Sequence, residues 1–276
     1  MPELPEVETI RRTLSKLVIG KTVADVIVGL PRLIKAPDDV MQFVELLKGQ
    51  TIREIGRRGK FLLFCLDDYV LVSHLRMEGR YGLYRTGDEV EKHTHVIFRF
   101  TDETELRYKD VRTFGTMHLF PKGQEMAGPP LHKLGPEPLD EAFSAAVLKE
   151  RLGRRKTKIK PLLLNQEIIV GLGNIYVDEA LFQAGIHPEK TPDELTDDQW
   201  EKLHVSIVQI LQKSISLGGS SIKSYVNGQG EAGRFQHTLK AYGRTGEPCF
   251  VCGTLIEKFV VGGRGTHICP NCQPRN

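Results

Sequence analysis

The chain has 276 residues, 40% hydrophobic and 26% charged, with a formal net charge of +3. That length exceeds the usual single domain, so two domains are expected, and the composition is that of an ordinary globular protein with no low-complexity tract or internal repeat. The net charge is too small to argue for a nucleic-acid partner. No apolar run approaches the roughly 18 residues that span a bilayer, and the acidic N-terminus is unlike a signal peptide, so a cytoplasmic protein without membrane association is expected.

The first predicted element is a helix: Pro5 suits a first turn, Val7, Ile10, Leu14 and Leu17 recur at helical spacing, and Gly20 is placed to end the run. From about residue 51 to 120 the texture changes to short β-branched and aromatic runs separated by turn signals. Residues 61–66 and 69–74 flank Asp67-Asp68, and residues 95–100 and 104–108 flank Thr101-Asp102-Glu103, a pattern that predicts an antiparallel sandwich or barrel. A Pro- and Gly-rich stretch, 128–138, breaks both periodicities and predicts a domain boundary. Four helices are predicted beyond it: 142–152, 161–166, 174–184 closed by Gly185, and a longer one running to Leu217, opened by the capping box Thr196 and Gln199 and ended by Gly218-Gly219.

Two basic clusters stand out. Arg151, Arg154, Arg155, Lys156, Lys158 and Lys160 place six cations in ten residues, and Arg57, Arg58 and Lys60 form a second group. Read alone, each is better explained as a solvated face.

The cysteines are more specific. Cys249-x2-Cys252 and Cys269-x2-Cys272, separated by sixteen residues, form the two-knuckle pattern that lets four thiolates surround one tetrahedral zinc ion. Two disulfides are the alternative, but a cytoplasmic chain keeps its thiols reduced, and paired knuckles suit a metal better than small strained loops. One structural zinc ion per chain is therefore expected; a site closed by four thiolates has no open position for a water. Cys65 falls in a strand pattern and reads as a buried small hydrophobe.

The N-terminus can support covalent chemistry. Proline at position 2 permits removal of Met1, leaving a secondary amine whose pKa near ~8 keeps a useful fraction neutral at pH 7. Attack of that amine at C1′ of a deoxyribose gives an iminium, an electron sink that acidifies C2′ and allows strand scission by elimination. The same residues also make an acidic helix start, which Pro5 and Glu6 serve in either case.

Taken together, Pro2-Glu3-Leu4-Pro5-Glu6-Val7-Glu8, Gly171-Leu172-Gly173-Asn174-Ile175-Tyr176 and the four cysteines, in this order and from end to end of the chain, resemble the bacterial formamidopyrimidine-DNA glycosylases. The resemblance implies an α+β protein with an N-terminal catalytic antiparallel β-sandwich carrying an N-terminal helix over residues 1–132. It further implies a helix-two-turns-helix DNA-binding domain over 133–234 and a four-cysteine zinc-finger β-hairpin over 235–276. The implied function is base excision repair: removal of 8-oxoguanine and formamidopyrimidines, then AP-lyase cleavage by β- and δ-elimination. The implied partner is damaged double-stranded DNA, bound by a monomer in the bacterial cytoplasm in association with the nucleoid.

The resemblance also implies roles for single residues. Pro2 is the nucleophile, Glu3 the acid/base that assists sugar-ring opening, and Lys60 and Arg264 reach the phosphates beside the lesion. His74, His93, Arg155 and Asn174 match further DNA contacts, with Tyr242 and Lys258 as weaker matches. Extruding a base leaves a hole that must be filled, and Met77, Arg112 and Phe114 match the wedge residues that fill it, Arg112 hydrogen-bonding the orphaned cytosine. Without the resemblance, Met77 and Phe114 would read as core and Lys60 as a solvated lysine. Thr113 departs from the pattern, where a lysine or arginine is expected. Glu78, Ser220, Ile222, Lys223, Ser224 and Tyr225 match the contacts to the everted base.

Two other functions compete. A related oxidised-pyrimidine glycosylase shares the Pro2 and Glu3 chemistry and the finger, but usually carries glycine where this chain has Leu4. A non-catalytic zinc-finger DNA-binding protein would need the basic patches and the cysteines, but no Pro2, Glu3 and Lys60 together.

Overall fold

The computed structural model describes residues 2–220 and 233–275. Two compact units divide the chain: Met1–Lys133 with Gly218–Gly233, and Leu134–Leu217 with Arg234–Asn276. Ile222, Lys223, Ser224 and Tyr225 lie outside the described residues. Among the described residues, no helix is long and apolar enough to cross a membrane.

The first unit opens with α1, Leu4–Val18, whose Leu4, Val7, Ile10, Leu14 and Val18 are all buried, as the helical spacing requires. Gly20 follows at φ +84°, a backbone conformation that glycine enters without steric cost. Next come β1 (Val23–Val28), β2 (Ile34–Ala36) and α2 (Val40–Leu47), whose Asp39 cap accepts from the Met41 amide at 2.8 Å. Strands β3 (Glu54–Arg58), β4 (Phe61–Cys65), β5 (Tyr69–His74), β6 (Arg80–Arg85), β7 (Thr94–Phe100), β8 (Thr104–Lys109) and β9 (Thr116–Pro121) complete it.

They form a four-stranded sheet, β1-β7-β8-β6, and a five-stranded sheet, β2-β9-β5-β4-β3. Strand β4 shows the pleat at work: Leu62 and Phe64 are buried, while Phe61, Leu63 and Cys65 on the other face are half-buried. Leu62 and Phe64 join Ile55, Leu71, Val96, Phe98, Leu106 and Met117 in one continuous core with α1 and α2. Each such side chain contributes about 1.5–3 kcal/mol through the area it removes from water. Strands β3 to β9 pair antiparallel throughout, as expected for residues 51–120, while edge strand β2, which lies before that stretch, pairs with β9 in parallel. It is only three residues long and arrives over a turn rather than through a hairpin, so no tight turn dictates its direction.

The second unit holds α3 (Ala145–Leu152), α4 (Ile159–Leu164), α5 (Asn174–Ala184) and α6 (Asp197–Ser216), the number of helices expected. Gly185 ends α5 at φ +67°, and Thr196 with Gln199 caps α6 reciprocally, at 3.2 and 3.1 Å. Helix α5 packs on α4 and α6, and it also packs on β11 (Arg264–Ile268), which forms an antiparallel hairpin with β10 (Glu257–Val261).

Candidate active site and zinc centre

Pro2 and Glu3 are both buried at the start of α1. The Glu3 amide donates to Glu6 Oε2 at 2.9 Å, and Glu6 Oε1 accepts from the Ser220 amide at 2.7 Å. One carboxylate thus ties the dipeptide to the segment beginning at Gly219. Gly219, at φ +81°, is needed there, since a Cβ would lie 2.9 Å from Glu6 Oε1. Ser220 Oγ is buried and has no hydrogen-bond partner among the described residues.

One turn later Glu8 accepts from Arg11 and Arg12 at 2.9 and 2.8 Å and from Arg57 at 3.3 Å. Burial alone would raise its pKa, but the arginine hydrogen bonds and charges outweigh that and hold it below the ordinary carboxyl value. Arg57 in turn donates to the Gly59 carbonyl at 3.0 Å, so α1 fixes the β3–β4 turn on which Lys60 sits. Gly59 has φ +56°, and Lys60 is buried, only 5% exposed, rather than solvated.

His74 is brought beside it by register, since Phe61 pairs with His74 across β4 and β5. Burial first, then the charges of Arg76 and Lys60, push its pKa down to about 3. Its Nδ1 accepts from the Arg76 amide at 2.9 Å, which leaves the proton of the neutral ring on Nε2. A neutral imidazole with a free-standing N–H donor can still hydrogen-bond a phosphate.

The wedge matches fall on two neighbouring segments, 75–79 and 110–115. Phe114 is 53% exposed and Arg112 is exposed, with the guanidinium 5.0 Å from the Phe114 ring centre; Met77 and Glu78 are half-buried. The reading of Met77 and Phe114 as core residues therefore fails. At Thr113 the structure supplies a cation from elsewhere, because Arg32 donates to the Thr113 hydroxyl. Half-buried His93 joins this group, its carbonyl accepting from the Asp110 amide at 3.0 Å.

In the second unit, α5 and the finger hairpin are bolted together. Lys160 is fully buried and donates to Asp178 Oδ1 at 2.5 Å and to the Gly265 carbonyl at 2.9 Å. Asp178 Oδ2 accepts from the His267 amide and Nδ1 at 3.0 and 3.1 Å. The six-cation cluster is thus not one surface: Lys160 leaves it, while Lys156 and Lys158 pair with Asp193 and Glu189. Arg155 is exposed, its Nε donating to the Arg151 carbonyl at 3.2 Å.

Asn174 Nδ2 also donates to the Gly265 carbonyl, at 2.8 Å, which seats the start of α5 against the finger hairpin. Arg264 is exposed at the hairpin turn, after Gly262 and Gly263 at φ +56° and +74°, and exposed Lys258 faces the same stretch across the pair Lys258↔His267. Tyr242 packs edge-on against His267, 4.9 Å between ring centres, and its amide donates to buried Glu179 at 2.8 Å. Glu6, Asp178 and Glu179 escape motif reading because each also holds a backbone amide 61 to 214 residues away.

The four cysteine sulfurs lie within 4.8 Å of one another. Cys249–Cys272, Cys252–Cys269 and Cys252–Cys272 are 3.9, 3.4 and 3.5 Å apart, far from a disulfide bond and close to the roughly 3.8 Å edge of a tetrahedron with 2.3 Å zinc–sulfur bonds. The Val251 and Cys272 amides approach Cys249 and Cys269 sulfurs at 3.4 Å each, donors suited to thiolates. The donor set fits one structural zinc ion.

A two-sheet unit with a buried Pro-Glu start and a helical unit bolted to a four-thiolate finger define an α+β protein with a structural zinc finger. Residues 1–117 match the formamidopyrimidine-DNA glycosylase N-terminal domain, 134–226 its H2TH domain, and 246–275 the zinc finger found in FPG and IleRS. The formamidopyrimidine-DNA glycosylase of Shouchella clausii is 64% identical over 275 residues, covering 100% of both chains. Two solved structures from Lactococcus lactis, an FPG mutant with Fapy-dG-containing DNA and Fpg with abasic-site DNA, are 46% identical. Both have TM-scores of 0.93 and cover 99% of this chain and 100% of theirs. The chain belongs to the formamidopyrimidine-DNA glycosylase family.

Proposed function

We propose that this protein is a bifunctional base excision repair enzyme that removes 8-oxoguanine and formamidopyrimidines from duplex DNA and then cleaves the abasic strand. The observation that carries the reading is the Pro2-Glu3 start, buried and tied by Glu6 to Ser220, in a chain of this family. The L. lactis relatives bind DNA carrying Fapy-dG and an abasic site, the substrate and intermediate of such a sequence.

Removal of Met1 frees the Pro2 amine. Its lone pair forms the N–C1′ bond as the C1′–base bond breaks, and the base leaves with the electron pair of the broken bond and takes up the proton that the alkylated proline nitrogen sheds. Glu3 protonates O4′ as the sugar ring opens, giving the iminium. Loss of a C2′ proton then expels the 3′ phosphate, and a second elimination expels the 5′ phosphate. Lys60 and the Nε2 donor of His74 hold phosphate beside the reacting sugar, Arg264 and Asn174 hold backbone, and His93, Arg155, Tyr242 and Lys258 add contacts. Met77, Arg112 and Phe114 fill the vacated stack, and Glu78 and the 220–225 segment contact the everted base. The 1–132, 133–234 and 235–276 segments are then catalytic, backbone-gripping and finger regions. Zinc, when bound, supplies only the fold of the finger.

Borohydride reduction of enzyme on abasic duplex should trap a protein–DNA adduct that maps to the N-terminal peptide. Protein retaining Met1 should bind but not trap, because its proline nitrogen is an amide. Trapping through Lys60 would falsify the assignment.

A further inference from the structure

The two wedge-bearing segments are both crossovers between the sheets of the first unit. Segment 75–79 leaves β5 of the five-stranded sheet for β6 of the four-stranded one, and 110–115 makes the reverse crossing from β8 to β9. Because β5 pairs with β9 and β6 pairs with β8, the two crossovers run side by side at one end of the sandwich.

Between them sits the hydroxyl of Tyr108, a residue only 1% exposed whose ring packs on Tyr81 at 5.1 Å. A Cβ on Gly79, in the first crossover, would lie 2.4 Å from that oxygen, and one on Gly115, in the second, 1.7 Å. Both crossovers therefore close on one phenol oxygen, and both need glycine at the point of contact.

The hydroxyl donates to Asp110 Oδ2 over a long 3.3 Å, and Asp110 is itself 1% exposed. Its carboxylate holds the second crossover at both ends: Oδ1 accepts from the Arg112 amide at 3.0 Å and Oδ2 from the Gly115 amide at 2.9 Å. Its backbone carbonyl meets His95 Nε2 at 2.9 Å, and its amide holds the His93 carbonyl at 3.0 Å. Between these clamps Thr113 is kept at φ +55°, left-handed for a β-branched residue. Burial, then the Asp110 charge, holds the phenol well above its ordinary pKa, so it remains a donor.

We propose that Tyr108 and Asp110 are positioning residues that lock the two crossovers in one register, so that Met77 and the Arg112–Phe114 tip meet the duplex as a single preformed wedge. The presentation clause rests on the wedge reading above. A wedge assembled from two loose loops would have to be ordered at the moment of insertion, at an entropic cost that a preformed one avoids.

Tyr108→Phe removes only the donor, and Asp110→Asn replaces one acceptor oxygen with an NH2 group. In full-length protein without DNA, hydrogen exchange should rise in peptides covering both 75–79 and 110–115, by about tenfold, with the rest of the sandwich unchanged as a fold control. Excision of 8-oxoguanine from duplex should fall about tenfold while cleavage at a preformed abasic site stays within about twofold. Adding Tyr108→Phe to Arg112→Ala should slow excision no further, as expected when one residue acts through the other. Exchange unchanged in either crossover overturns the register, whatever excision does. Equal losses on the two substrates overturn presentation of the wedge. Exchange raised in both crossovers, with Arg112→Ala excising normally, overturns the wedge reading alone and leaves the register standing.

Discussion

A single buried histidine sets a pH dependence. His74 is neutral in the fold with its pKa pushed down to about 3, whereas the unfolded side chain titrates near 6.5. Below pH 6.5 the unfolded chain therefore binds a proton that the fold refuses, so this stabilisation is complete above 6.5 and is lost as pH falls toward 3. The slope is about 1.4 kcal/mol per pH unit. Urea unfolding from pH 6.5 to 4.5 should show the first unit losing stability more steeply than its His74→Gln variant by that amount. Equal slopes would mean that His74 takes up its proton while folded.

At the scale of elements, the hairpin β10–β11 is held from two sides, by the four thiolates beyond its ends and by Lys160, Asp178 and Asn174 beside Gly265. The metal should then be needed to place Arg264 but not to fold the β-sandwich. Native protein should contain one zinc per chain by elemental analysis. Cys249→Ser should lose zinc and bind abasic duplex at least about tenfold more weakly, with the urea transition of the sandwich unit unchanged. Normal duplex binding by that variant would remove the finger from the DNA grip.

For the whole molecule, the weak net charge of +3 conceals a division of labour among cations. Lys160, Lys156 and Lys158 are matched by acids, whereas Arg155, Arg264 and Lys258 are exposed and enter no ion pair among the described residues. Only unmatched cations release counterions when they meet phosphate, so Arg155→Ala should reduce the slope of log K against log salt by about 0.9. Lys156→Ala should change it less. Equal slopes for the parent protein and Arg155→Ala would exclude a phosphate contact at Arg155.

How much of this was readable in advance depends on how far apart the interacting residues are. Strand β5 and helix α5 fall on the residues their patterns predict, 69–74 and 174–184, because local periodicity and turn or capping residues mark both ends. Helix α2 has the Asp39 cap and the Phe43, Val44 and Leu47 spacing, yet at eight residues it is too short for periodicity to separate helix from strand. The cysteine ligand set was legible in the sequence alone, since it resides in residue type and spacing, and Pro2 stood out there for the secondary amine that removal of Met1 would free. Tertiary structure decided the rest. Glu6 reaches Ser220 across 214 residues, Lys160 becomes an internal cation only because Asp178 and Gly265 converge on it, and Tyr108 holds two crossovers that only strand pairing makes neighbours. Burial and partnership are set by where the chain returns in space, which no local window of the sequence contains.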